Sequence, residues 1–90
     1  MSLLKYSSHF KKDIKRYKHD KDILSELEVV LDILISDKVL SGKYMNHRLN
    51  GEFKECFECH IRSDILLVYK IEKEEATILL LRIGSHPEIF

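Results

Sequence analysis

The spacing of apolar positions changes period along this chain, and the change divides it into a helical half and a strand half. Leu3, Leu4 and Tyr6 predict a short strand. Phe10, Ile14 and Tyr17 then recur at i, i+4 and i+7, one helical stripe set among Lys11, Lys12, Lys15, Arg16 and Lys18. Ser7 or Ser8 is placed to cap that helix by accepting from its free N–H groups. After a break at His19 and Asp20, the residues Ile23, Leu27, Val30, Leu31 and Leu34 trace a longer helix. Leu24 and Ile35 widen its apolar face, Asp20 is its cap, and Glu26, Glu28 and Asp32 stay outside. A link this short makes the pair a helical hairpin. Ile23, Val29, Val30, Ile33 and Ile35 are β-branched and lower the intrinsic propensity, so burial has to compensate.

Lys43 to Gly51 has no clear period, but Asn50-Gly51 is a strong turn signal because both residues tolerate positive φ. A period of two follows. Phe53, Phe57, Cys59 and Ile61 share one parity, and Lys54, Cys56, Glu58, His60 and Arg62 share the other, which predicts a strand with one buried and one polar face. Ser63-Asp64 turns the chain, and the nearly unbroken apolar run Ile65 to Ile71 predicts a central strand. Lys73-Glu74-Glu75 reads as a charged hairpin turn, Thr77 to Ile83 as a buried strand interrupted by Arg82, and Ser85 to Phe90 as a short tail released by Gly84. The expected fold is a single α+β domain over residues 1–90, in the order β-α-α-β-β-β. Two N-terminal helices pack on one face of a curved antiparallel sheet, with the first strand available to join its edge.

Composition narrows the class. A chain of 90 residues holds one domain with a modest core, and 44% hydrophobic with 33% charged residues excludes a disordered chain. No stretch approaches the roughly 20 apolar residues of a membrane span, and no secretory signal is visible, so a cytoplasmic protein without membrane association is expected. Formal net charge is zero, but it is unevenly spread. Residues 1–21 carry seven Lys or Arg and two Asp, and residues 22–37 carry five acids and no base. A basic surface beside an acidic helix is one reading, and a solvated mixed surface is the other.

Cys56-Phe57-Glu58-Cys59-His60 spells C-x-x-C-H. Haem attachment needs an exported chain, and strand geometry puts residues i and i+3 on opposite faces. A redox pair wants a helix N-terminus to lower a thiol pKa, and structural zinc would need a remote histidine. The preferred reading is that Cys59 packs inward and Cys56 is incidental. The histidines carry more chemistry. His60 sits on the polar parity, Asp64 lies past the turn where it can return toward it, and His47 and His86 flank the sheet from a loop and the tail. Histidine titrates near neutrality, so a pair can divide the roles of base and acid. RNA supplies its own nucleophile, the 2′-OH. An enzyme then has to remove that proton, stabilise the charge at phosphorus and protonate the leaving 5′ oxygen. Arg48, Arg82 and lysines such as Lys54 are available to hold the phosphate.

Three segments carry a resemblance over nearly the whole chain: Tyr44-Met45-Asn46-His47-Arg48-Leu49-Asn50-Gly51; Glu58-Cys59-His60-Ile61-Arg62-Ser63-Asp64 leading into Leu67-Val68-Tyr69-Lys70; and Arg82-Ile83-Gly84-Ser85-His86-Pro87-Glu88-Ile89-Phe90. With these separations the sequence resembles the YafQ branch of the RelE/ParE superfamily, toxins of bacterial type II toxin–antitoxin pairs. The resemblance implies a RelE-like fold and a ribosome-dependent, metal-independent endoribonuclease (mRNA interferase) that needs no cofactor and is blocked by a cognate antitoxin. It places the family's active-site histidines on His47, His60 and His86, its acid on Asp64, and its C-terminal aromatic on Phe90, which would stack on a base. Its partners would be the antitoxin, the ribosome and translated mRNA, and the free toxin need not dimerise. The rival reading is a non-catalytic toxin or binding module acting on a protein or nucleic acid, as gyrase-directed relatives of the superfamily do.

Overall fold

The computed structural model describes residues 2–53 and 55–90, with the side chain of Glu52 left aside. Strand β1 spans Leu3–Tyr6, helix α1 spans Ser8–Ile14 and runs into a 3-10 turn at Lys15–Tyr17, and helix α2 spans Lys21–Ile35. Strands β2 (His47–Arg48), β3 (Cys56–Arg62), β4 (Ile65–Glu72) and β5 (Thr77–Gly84) follow, and helix α3 (His86–Ile89) ends the chain.

The α+β class and the two N-terminal helices agree with the sequence pattern. The Ser7 hydroxyl accepts from Phe10 N–H and Asp20 from Ile23 N–H, so both helices start at caps the sequence advertises. Ile23, Leu27, Val30 and Leu34 form the buried stripe of α2.

The sheet type and the element order both differ from expectation. The sheet is mixed, not antiparallel: its order is β1-β5-β4-β3-β2, and β1 pairs in parallel with β5. The element order also gains a strand and a helix, becoming β-α-α-β-β-β-β-α. Two-residue β2 is too short to show a period. Helix α3 has only four residues, but Ser85 and Glu88 close a capping box around Pro87, so the expected tail is an ordered helix.

β4 is central because both its faces are covered. Ile65, Leu67 and Tyr69 point into the main core with Cys59, Ile61, Ile78, Leu80, Ile83 and the helices. Leu66 and Val68 point the other way, into a second cluster with Cys56 and Ile89, flanked by Leu49, Phe53 and Leu81. Val68, Leu67 and Leu80 are each fully buried, a contribution of roughly 1.5–3 kcal/mol apiece. Cys56 is therefore not incidental: it is buried in the second cluster while Cys59 is buried in the first. Phe53 is also corrected. It lies in a 3-10 turn (Gly51–Phe53) and packs on the second cluster, on the face opposite Cys59. Among the described residues no helix is long and apolar enough to cross a membrane.

Candidate active site

The helices cover one face of the sheet, so the other face is where polar groups can gather. Cys59 points to the helices, so Glu58 and His60 point away from them. The ladder pairs His47 with Glu58, Glu58 with Val68, and Val68 with Arg82. The next row pairs His60 with Leu66 and Leu66 with Gly84. Strands lie about 4.8 Å apart and residues i and i+2 about 7 Å apart. His47, Glu58 and His60 therefore share one patch, and Gly84 lies roughly 10 Å across it from His60. His86 follows two residues later, at the start of the helix whose Ile89 is buried on this same face.

His47 is held from several directions. Its Nε2 lies 2.8 Å from Glu58 Oε2, and its Nδ1 lies 2.9 Å from the Met45 carbonyl oxygen. The Glu58 side chain is only 9% exposed, while that of His47 is 51% exposed. The neighbouring Asn46 accepts a 2.6 Å hydrogen bond from the hydroxyl of Tyr69, a buried core side chain. Burial raises the Tyr69 phenol well above its ordinary pKa, so it remains a donor. Tyr44 donates to Glu26 of α2 at 2.7 Å, fixing the other end of the same loop. The loop had no readable period because tertiary hydrogen bonds, not a local repeat, set its path.

Helix α3 is clasped to the first helical segment through Glu88. Its Oε1 accepts from Ser85 N–H at 2.7 Å and from the Tyr17 hydroxyl at 3.1 Å, and its Oε2 pairs with Arg16 Nη1 at 2.9 Å. The Ser85 backbone bond leads the causes that hold the Glu88 carboxyl below its ordinary pKa. A Cβ on Gly84 would sit 3.1 Å from Glu88 Oε1, so a bare backbone lets α3 fold this close to β5. The clasp fixes both ends of α3: His86 at its start and Phe90 just past its end, with ring centroids 4.9 Å apart. Phe90 also meets Phe53 edge to face at 5.2 Å and is 47% exposed.

The remaining expected residues fall as follows. Arg82 sends Nε to Asp13 Oδ2 at 2.7 Å and Nη2 to Asp13 Oδ1 at 3.2 Å, and Asp13 also accepts from Ile83 N–H. The pairing raises the Arg82 pKa further and commits most of its donors to structure. Arg48 follows His47 in a strand and so faces the other way; its guanidinium lies 5.4 Å from the Phe57 ring centre. Asp64 is exposed in the β3–β4 turn, and its side chain makes no hydrogen bond or ion pair among the described residues. Among the described residues, the carboxylate that meets a histidine is Glu58. Lys54 lies outside the described residues. Glu58 was not singled out as a site residue in the sequence, although its two-residue spacing from His60 already put both on one strand face.

A family model described as bacterial toxin of type II toxin-antitoxin system, YafQ, matches residues 2–90. The mRNA interferase toxin YafQ of Escherichia coli K12 is 29% identical over 89 residues, covering 97% of this chain and 94% of the relative. A metal-bound toxin from Helicobacter pylori superposes with a TM-score of 0.92 at 40% identity, covering 100% of both chains. The toxin of the E. coli DinJ–YafQ complex superposes with a TM-score of 0.87 at 25% identity, covering 100% of this chain and 99% of that one. The fold is thus that of a known group, and the chain belongs to the YafQ family of type II toxin–antitoxin toxins.

Proposed function

We propose that this toxin is a ribosome-dependent endoribonuclease that cuts translated mRNA by acid–base chemistry at the histidine-bearing face. The observation that carries the reading is the shared patch of His47, Glu58 and His60, with His86 on a helix anchored beside it. The 2′-OH of the message attacks the adjacent phosphorus, its proton passes to a base, and the 5′ oxygen leaves with a proton from an acid. The bond broken is P–O5′, and the products are a 2′,3′-cyclic phosphate and a 5′-OH.

His86 acts as acid or base nearest the scissile phosphate. His47 and His60 hold or protonate the phosphate oxygens, and each such proton-transfer role is worth roughly 10²–10⁴-fold. Glu58 orients His47, and Asp64 supplies a second carboxylate at the open turn. Phe90 stacks on a base of the message, while Arg82, its charge matched by Asp13, packs beside it in the same groove. Arg48, turned away from His47, serves the path of the backbone outside the reacting centre, and Lys54 adds positive charge for the phosphates. A cognate antitoxin binds and silences the protein, a reading supported by the existence of a DinJ–YafQ complex of its relative.

Mapping of cut sites in a translated message tests the proposal. The wild-type toxin is expected to cut and to arrest growth, and folded His86→Ala and His60→Ala variants are expected to do neither. Full cleavage by a folded double variant would remove the assignment.

A further inference from the structure

Beside Phe90 lies a groove of about 700 Å³ lined by Ser7, His9, Asn50, Phe53, Leu81, Arg82, Ile89 and Phe90. We infer that it is a second nucleotide subsite, taking an unstacked base of the same RNA strand next to the one that meets Phe90, with Asn50 and His9 reading its edge. The inference rests on the nuclease reading above.

Three features point to a base. The volume lies in the range of small-ligand sites. The walls are apolar and aromatic at Phe53, Leu81, Ile89 and Phe90, which suits the flat face of a base. Single-stranded RNA is recognised in this manner, by stacking on aromatic rings and hydrogen bonds to base edges. The polar lining then divides into committed and open groups. The Ser7 hydroxyl donates to the Leu81 carbonyl and accepts from Phe10 N–H. Arg82 is spent on Asp13 and on the Glu88 carbonyl. Asn50 and His9 are exposed, and neither side chain makes a hydrogen bond or ion pair among the described residues. Those two are left to face a ligand.

Charge and continuity favour RNA over a polypeptide. The segment that carries His9 continues through the exposed Lys11, Lys12, Lys15 and Lys18, while Arg16 pairs with Glu88 and its one acid, Asp13, is buried against Arg82. The four lysines leave the outer face cationic and suited to a phosphate backbone. Phe90 is shared: its ring meets His86 as well as Phe53. A strand lying across the histidine patch would thus continue into the groove without leaving the protein surface.

The test uses the intact protein and a fluorescent hexanucleotide carrying 2′-O-methyl groups, which block cleavage, with binding read by anisotropy. Cut sites in translated message are mapped in parallel. His9→Ala and Asn50→Ala alter exposed side chains, and circular dichroism checks their folding. Each is expected to weaken the oligonucleotide about 5-fold or more and to change the base distribution at one position of the cut sites. Phe53→Leu keeps an apolar wall but removes the aromatic face, and a loss of roughly 5- to 100-fold is expected. Unchanged binding and an unchanged cut pattern in the His9→Ala/Asn50→Ala double variant overturn the subsite, even if the wild-type protein cuts message. Loss of antitoxin binding alone in that variant overturns it too, in favour of a polypeptide occupant. A wild-type protein that cuts no message, yet loses the oligonucleotide on Asn50→Ala, refutes the nuclease and upholds the subsite.

Discussion

His47 Nε2 stands 2.8 Å from the nearly buried Glu58 carboxylate, while Nδ1 of the same ring stands 2.9 Å from the Met45 carbonyl oxygen. Both ring nitrogens therefore face oxygen acceptors. A ring that donates from both is an imidazolium. A neutral ring donates from one nitrogen and presents a lone pair at the other. The Nε2–Oε2 contact lies beside the patch where a phosphate is expected to bind.

Removing the Glu58 charge tests its importance. Glu58→Gln keeps the shape but not the charge, so His47 loses its anionic partner. Cleavage of translated message is expected to fall about 10²–10⁴-fold with unchanged circular dichroism. A variant as toxic as the wild type would show that Glu58 supports only the sheet.

Asp13 and Arg82 make a different prediction, about stability. The Asp13 side chain is 5% exposed and satisfies both the Arg82 guanidinium and Ile83 N–H. Asp13→Ala would strand a partly buried charge and a strand N–H, at a cost of about 3 kcal/mol in urea unfolding. Asp13→Leu combined with Arg82→Met should recover part of that loss, because no unpaired charge remains. An Asp13→Ala variant as stable as the wild type would contradict the pairing.

The Glu88 clasp should open on acidification. Its carboxyl is held below the ordinary value of 4.5, so the folded state binds its proton less readily than the unfolded state. The stability it adds is complete above about pH 4.5 and is lost as pH falls from there through the lowered folded value. NMR signals of His86 and Phe90 should broaden or shift over that acid range in the wild type. In Glu88→Gln they should already be displaced at neutral pH, with the β4 signals unmoved. Identical His86 and Phe90 signals in both proteins would argue against the clasp.

Neither cysteine should behave as a reactive thiol. Burial pushes the Cys59 thiol up to about 12 and raises that of Cys56, where nearby Lys70 opposes the shift only in part. The thiolate is the nucleophile, so alkylation of native protein at pH 8 should be far slower than in denaturant. Rapid native labelling at Cys59 would mean that the core opens readily. The sign for stability is the reverse of the Glu88 case. The raised Cys59 pKa adds stability below the ordinary value near 9, and this is lost as pH rises toward 12.

What the sequence by itself determined is whatever local spacing controls. The 3.6-residue stripe of α2, the caps at Ser7 and Asp20, and the unbroken apolar run of β4 each depend on neighbours within a few residues. Even the α3 capping box was written in Ser85-His86-Pro87-Glu88, though a four-residue helix has too few apolar positions to show a stripe. The three histidines stand out by their chemistry, and Phe90 only through the resemblance. Tertiary structure alone decided which of the expected groups meet. The parallel seating of β1 beside β5 depends on a pairing across more than 70 residues, as does the Asp13–Arg82 bond across 69. The pleat turns Arg48 away from His47, and the His47–Glu58 contact depends on the register between β2 and β3. Register is fixed by packing on both sides of the sheet, and no window of adjacent residues contains that information.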